Sequence, residues 1–206
     1  DSASFNRLDT YLQNVEQMDS LLADESTGLS QGLERYFSAI QAAVDDPSSV
    51  PVRQLVLSES AGLVERFHTL GAQLENQNDV VNGQLTAMAD QISSLASSIA
   101  QLNKAIVAAQ GSGLGNSPND LLDQRDEKIR QLAELVDVRT VAQTDGSVNV
   151  FIGKGQPLVV GQKANMLEAR AGVDDPFRVD LGFVSGVEFQ NVNQLLTGGS
   201  LGGLLD

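Results

Sequence analysis

The fold of this chain is decided by residues 51–110, which read PVRQLVLSESAGLVERFHTLGAQLENQNDVVNGQLTAMADQISSLASSIAQLNKAIVAAQ. Apolar residues recur along this stretch at steps of three and four, or of seven where one position of the repeat is skipped. The repeating positions are Leu57, Val64, Phe67, Leu74, Val81, Leu85, Met88, Ile92, Leu95, Ile99, Leu102 and Ile106. Such a repeat is typical of a helix that buries one narrow stripe against other helices, as in a coiled coil. A helix of about 60 residues extends roughly 90 Å, so the sequence predicts one very long helix.

The apolar stripe of this helix requires a cover, because even long helices depend on tertiary packing for their stability in water. Each stripe residue contributes roughly 1.5–3 kcal/mol when it is fully buried. The repeat is compatible with two arrangements. In one, the stripe packs entirely inside a helical bundle of its own chain, and in the other it also contacts other chains.

Two shorter helices are predicted before the long one. Residues 5–22 carry a narrow apolar stripe, and a break containing Gly28 separates them from a second helix that Ser30 is predicted to cap. Pro47 ends the second helix, since proline disfavours helical geometry in the residue before it. Pro51 then lies in the first turn of the long helix, where proline is tolerated. We expect the two short helices to fold back along the long one as an antiparallel layer.

A fourth helix is predicted after the long one, beyond a glycine-rich loop. It covers residues 120–136, and Asn119 or Asp120 is expected to cap it. Asp126 and Arg130 are spaced to form an ion pair across one turn of this helix, which is worth about 0.3–0.5 kcal/mol at a helix surface. The short loop favours an antiparallel return beside the long helix.

From Val138 the apolar period changes from helical to two-residue, and β-branched residues become frequent. Asp145-Gly146 is a strong hairpin signal, on the expectation that both central residues of the turn have positive φ. Further turns are predicted at 153–155, 161, 172–176 and 185–186. The predicted strands are 138–141, 148–152, 158–160, 166–169, 177–181 and 187–189.

These patterns predict an α+β fold: an elongated antiparallel helical bundle with one very long helix, followed by a small antiparallel β domain. We expect a helical rod domain over residues 1–137 and the β domain over residues 138–197. Residues 198–206, glycine-rich and then leucine-rich, are interpreted as the start of a return segment to the helical domain.

The composition excludes several classes of function. The net charge is −14, from 13 basic and 27 acidic residues, whereas nucleic acids and anionic membrane surfaces attract basic faces. We therefore expect neither nucleic acid nor membrane as a partner. The sequence shows no apolar run long enough to span a bilayer and does not open with a cleavable signal peptide. Cysteine is absent, which excludes disulfides and thiol chemistry.

No catalytic, cofactor-binding or metal-ligating residue is predicted, and we expect the chain not to be an enzyme. His68 is the single histidine and is interpreted as a helix-surface residue. The glycine-rich segments at 111–115 and 153–155 lack the spacing of a phosphate-binding loop. The acidic pairs at 45–46 and 174–175 each precede a proline, so turn formation explains them.

A resemblance to a known family goes further than periodicity. Residues 119–126, Asn-Asp-Leu-Leu-Asp-Gln-Arg-Asp, resemble the Asn-Asp-Leu-Leu-Asp-x-Arg-Asp segment of the flagellar hook-associated protein 1 family. Shorter segments resemble that family in the same order along nearly the whole chain. They are 27–30 with Phe37 and 40–41, then 53–57, 99–103, 145–150 and 198–205.

The resemblance implies a structural axial component of the bacterial flagellum, acting as the junction subunit between hook and filament. It implies assembly of copies into a ring, with the hook protein on one side and the second junction protein on the other. It also implies secretion through the flagellar export channel in an unfolded state, an extracellular location, and an export chaperone that binds a terminal region. The family places its helical domain toward the inside and its β domains outside.

The chain differs from the family in lacking the long terminal helices, so we expect a core fragment that stays soluble and does not polymerise alone. Part of the cover of the stripe is then expected to lie in the missing C-terminal helix. Two structural alternatives remain at this stage: another secreted rod-forming or filament-like protein, or an outward-facing adhesin module. An enzyme with its site in the β domain would require a pocket with convergent titratable groups.

Overall fold

The computed structural model describes residues 2–23, 29–111, 118–185 and 188–206. Its helices are α1 (Ser2–Ala23), α2 (Leu29–Asp45), α3 (Val50–Gly111), α4 (Asn119–Leu135) and α5 (Gly199–Leu205). The strands are β1 (Val138–Ala142), β2 (Val148–Ile152), β3 (Gln156–Val160), β4 (Lys163–Ala164), β5 (Leu167–Ala171), β6 (Val179–Ser185) and β7 (Glu188–Asn191), and a 3-10 turn covers Asn193–Leu195. The predicted fold class, with a very long helix followed by small antiparallel sheets, is confirmed.

The long helix α3 runs for 62 residues without interruption. Pro51 lies in its first turn and α2 ends at Asp45, two residues before Pro47, as predicted. Arg53 ties the two helices together, since its Nε and Nη2 both donate to the carbonyl of Pro47, at 3.0 and 2.7 Å. The two bonds satisfy the Pro47 carbonyl, which lies between the helices and accepts no hydrogen bond within either of them.

The apolar stripe of α3 is covered over only part of its length. From Leu85 to Ile106 most of its positions are buried. By contrast Leu57, Val64 and Phe67 are 69%, 53% and 51% exposed. The period predicted the stripe correctly, but it did not reveal that its two halves have different surroundings.

The chain divides into two compact units. One contains residues 14–79, and the other contains residues 1–13 together with 80–206. In the unit of residues 14–79, α2 approaches α3 at Gly32. A Cβ at that position would lie 2.9 Å from the Arg66 Cδ and 3.1 Å from the Leu63 Cδ1, so the missing side chain makes room for these two.

The unit of residues 1–13 and 80–206 holds one main core, formed between the second half of α3, α4, α5 and two antiparallel sheets. One sheet has the order β1-β2-β3-β4 and the other the order β5-β6-β7. The small antiparallel β domain predicted from the sequence is thus built from two separate sheets. The largest fully buried side chains are Ile92, Ile99, Ile106, Leu132, Ile152, Leu158, Leu167, Leu181 and Leu201.

The β1–β2 hairpin forms where it was predicted, but with a different loop. Gly146 has φ of 83°, whereas Asp145 does not have positive φ. Gln143 and Ser147 close the loop through the Gln143 amide, which donates to the Ser147 carbonyl at 2.8 Å. The turn is therefore longer than the expected two-residue type, and only its glycine takes the left-handed conformation. The Asp145 carboxylate accepts bonds from the amide and hydroxyl of Ser147, which holds the loop.

Two predicted helix-capping contacts are wrong. Ser30 is the second residue of α2, which begins at Leu29. In α4 neither Asn119 nor Asp120 is the N-cap: Pro118 precedes the helix, and its carbonyl accepts from the amides at 121 and 122.

The predicted Asp126–Arg130 ion pair is also wrong, because Arg130 is bonded to other carboxylates. It pairs with Glu127 on one side and Glu134 on the other. Asp126 instead lies 4.0 Å from the Arg125 Nε.

Several strand bounds differ from the predicted ones. β6 begins at Val179 instead of residue 177, because Phe177 and Arg178 belong to the preceding turn, in which the Arg178 amide donates to the Asp175 carbonyl. The short strand β4 and the helix α5 were not predicted. The predicted turns at 24–28 and 186, the loop 112–117 and the first residue of the predicted strand 187–189 lie outside the described residues.

Candidate functional site

The described residues show no cluster suited to holding a metal ion. Among them no three histidine, aspartate or glutamate side chains converge as a metal-binding group would require. His68 lies exposed on α3, as the sequence predicted.

The described residues form an open polar concavity of about 650 Å³ beside the second sheet. Three carboxylates line it, but two of them take part in local structure: Asp175 accepts from the amide of Phe177, and Asp180 accepts from the side chain of Asn193. The concavity has few apolar walls to hold a small molecule.

The best-defined polar site is a buried hydrogen-bond network that joins α3, α4 and the first sheet. Asn103 of α3 is completely buried, and its amide nitrogen donates to the carbonyls of Val148 (2.8 Å) and Gly161 (2.6 Å). Its amide oxygen accepts from the backbone of Val148 (3.1 Å) and from the guanidinium of Arg125 (3.3 Å). One side chain thus fixes a helix, a hairpin and a turn together.

Arg125 of the octapeptide segment contributes a charge to this network. Its guanidinium also donates to the Gly146 carbonyl at 2.8 Å, and its Nε is buried without a hydrogen-bond partner. The end of the Gln110 side chain lies against Gly146 on its other side. The segment that carries the family resemblance therefore docks the β1–β2 loop onto the helices. The sequence analysis did not predict this buried network of Asn103 and Arg125. The signal for it was Asn103, a polar residue directly after Leu102 of the apolar stripe.

Two further polar side chains of α3 hold the second sheet. The Ser93 hydroxyl donates to the Leu167 carbonyl (2.9 Å) and accepts from its amide (2.8 Å). Asn82 donates to the Phe177 carbonyl (2.6 Å) and accepts from the Val179 amide (3.1 Å). Together with Asn103 these residues lie about three helical turns apart. Helix α3 thus positions both sheets, because these side chains form the hydrogen bonds that a neighbouring strand would otherwise provide to the backbone.

The exposed face of α4 carries a row of charges. Glu127 lies between donors from Arg130 and Gln131, which lower its pKa from 4.5 to about 2. The same carboxylate and Glu134 raise the pKa of Arg130 above its ordinary value. On the hairpin, hydrogen bonds from Ser147 lower the pKa of Asp145. These groups stay ionised at neutral pH and support local structure.

Helix α1 docks through a face that is not its apolar one. Within residues 1–13, Asn6 donates to the Glu134 carbonyl at 3.2 Å and Arg7 pairs with Asp206 at 2.6 Å. Phe5, Leu8 and Leu12 lie on the opposite side, and each is more than half exposed. Contiguous exposed apolar side chains are typical of surfaces that bind other proteins.

A very long helix, sheets fixed to it by buried polar contacts, and exposed apolar faces are together typical of structural subunits of larger assemblies. The chain belongs to the family described as flagellar hook-associated protein FlgK helical domain, whose model matches residues 15–206.

Relatives from several bacteria agree with this assignment. Flagellar hook-associated protein 1 of Salmonella typhimurium is 36% identical over 200 residues, which cover 96% of this chain and 36% of that protein. The protein of the same name from Escherichia coli is 34% identical over 195 residues, and that from Bacillus subtilis is 27% identical over 154. The chain thus spans about a third of the length of the relatives it matches most fully.

A solved structure has the same fold. The flagellar hook junction protein FlgK from Burkholderia pseudomallei superposes with a TM-score of 0.88 at 34% identity, covering 99% of this chain and 37% of that one. The resemblance identified from the octapeptide is therefore confirmed at the level of the family and of the fold.

Proposed function

We propose that this chain is the core of a junction subunit that lies between the hook and the filament of the bacterial flagellum. The family match over residues 15–206 carries the proposal. The unbroken 62-residue helix supports it, because a long helix keeps a fixed spacing between contacts along an assembly. The name of the Burkholderia pseudomallei relative, a flagellar hook junction protein, points to the same role.

The proposed partners follow from this role. Copies of the chain form a ring, the hook protein and a second junction protein bind on either side, and an export chaperone recognises a terminal region of the full-length protein. The proposed location is extracellular, on the flagellum. We found no helix among the described residues that is long and apolar enough to cross a membrane. The proposed role is mechanical and involves no catalysis.

The division into a rod domain (1–137), a β domain (138–197) and a return segment (198–206) stays part of this proposal. The rod would keep subunits at a constant spacing, and the β domain would provide an outward contact surface. Because contacts between different surfaces of identical subunits propagate, they build rings and helices.

A chimera tests the proposal. The matched third of the Salmonella typhimurium protein is replaced by these 206 residues in cells that lack their own copy, and filaments are counted by electron microscopy. Attached filaments are expected. Hooks without filaments, in cells that export the chimera into the medium at normal levels, would refute the proposal. A graft of the host's own segment through the same cloning junctions is the control.

A further inference from the structure

The two sheets carry opposite charges, although the chain as a whole is strongly acidic. Residues 138–164, which contain the first sheet, have three basic side chains and one acidic one, for a net charge of +2 in a chain of −14. Residues 167–191, which contain the second sheet, have five acidic side chains and two basic ones, for a net charge of −3. The β region is therefore polarised.

The outer face of the first sheet combines apolar area with this positive charge. Alternate residues of a strand point to opposite faces, and Val148, Val150 and Ile152 of β2 are buried against the helices. Their neighbours therefore point outward. The outward positions, which the pairing register places side by side, are Arg139, Val141, Asn149, Phe151, Pro157, Val160 and Lys163. Val141 and Val160 are half exposed in this face.

The loop between β5 and β6 presents the complementary surface. Val173 is 90% exposed and Phe177 is 74% exposed, and Asp174 and Asp175 lie between them. The loop has a fixed shape. The Gly172 amide donates to the Arg178 carbonyl at 2.7 Å, and the Asn82 side chain on α3 bonds the loop at its carboxyl end. A preformed loop loses little entropy when it binds.

We propose that the β5–β6 loop of one copy docks on the outer face of the first sheet of a second copy. Val173 and Phe177 would pack on the half-exposed side chains of Val141 and Val160. The acidic pair 174–175 would lie against Lys163, which pairs with Val160. Complementary charges of this kind select orientation and partner more than they add affinity.

This contact uses two different surfaces of the same molecule, so it leaves one of each free and can be repeated around a ring. A loop tip on a four-stranded sheet covers less area than the roughly 1,600 Å² of a standard stable interface. We therefore expect a single contact to be weak in solution and to strengthen when many are made together. The inference deepens the proposed function and rests on it for its biological setting.

Cysteine cross-linking tests the contact directly, because the chain has no cysteine of its own. Val173→Cys protein is mixed with Val160→Cys protein and oxidised, and mixed disulfide dimers are quantified. Val173→Cys mixed with Gln91→Cys, on an exposed position of α3, is the matched control. The expected result is a several-fold excess of the 173–160 dimer over the control dimer, reduced at high salt. Equal yields would overturn the proposal.

A charge reversal gives a second, independent readout. Lys163→Glu in the Val160→Cys protein is expected to lower the cross-linking yield by up to roughly fivefold, and Asp174→Lys in the Val173→Cys protein is expected to restore it. Loss without restoration would overturn the proposed orientation. If the chimera described above assembles filaments but no excess cross-link forms, this contact is wrong and the junction role stands.

Discussion

Replacing Asn103 by alanine should destabilise the β1–β2 hairpin far more than an ordinary helix substitution. The change removes four hydrogen bonds, two of them donated to the carbonyls of Val148 and Gly161 and one accepted from the Val148 amide. A buried group left without a partner costs about 1–3 kcal/mol, so we expect a total loss of about 3–5 kcal/mol. For a chain of this size 1 kcal/mol corresponds to roughly 2–4 °C in melting temperature.

Asn82→Ala is the matched control, because it removes the same residue type from the same helix. Asn82 also bonds two backbone groups of the second sheet, but its contacts are partly open to water. Water can replace them, so we expect a loss of only about 1 kcal/mol. The two variants differ mainly in the burial of the amide.

Amide hydrogen exchange at Val148, whose amide donates to Asn103, measures the local opening free energy. Urea unfolding followed by circular dichroism measures the overall loss. In Asn103→Ala the protection of the Val148 amide should fall strongly, whereas Asn82→Ala should leave it unchanged. The reasoning would be refuted if the two variants lost equal free energy of unfolding, or if Asn103→Ala lost less than about 1 kcal/mol. Either result would mean that burial does not determine how much the network stabilises the fold.

Three further predictions concern packing, backbone and charge. Leu201→Ala in α5 should lose about 2–5 kcal/mol in thermal unfolding because Leu201 is fully buried, while Leu204→Ala, only partly buried, should lose less. Gly153→Ala should destabilise more than Gly155→Ala, since both have positive φ but only at Gly153 does a backbone group, the Leu195 carbonyl, stand where a Cβ would lie; equal losses in urea would contradict this. Glu127 has a depressed pKa, so its stabilising contribution is present above pH 4.5 and is lost as the pH falls toward 2. In a carboxyl NMR titration, Arg130→Met should raise the pKa of Glu127 toward its ordinary value. An unchanged pKa would contradict the assigned cause.

The sequence alone determined the helical framework of this protein. The three-and-four spacing of residues such as Ile92, Leu95 and Ile99 predicted the long helix, because such a period leaves one face apolar wherever the helix lies. Pro47 and Pro51 fixed the boundary between α2 and α3 for a local reason, the restriction that proline places on its own and the preceding backbone. The glycine of the β1–β2 turn was likewise a local signal.

The tertiary structure alone decided what those local features contact. The same period describes Leu57, which is largely exposed, and Ile99, which is fully buried, because periodicity shows which face is apolar but not what packs on it. Arg130 had three carboxylates within reach along its helix, and only side-chain geometry selected two of them. The role of Asn103 depends on backbone groups 45 and 58 residues away. Contacts at that separation follow from the folded arrangement of whole elements, which no local pattern of residues encodes.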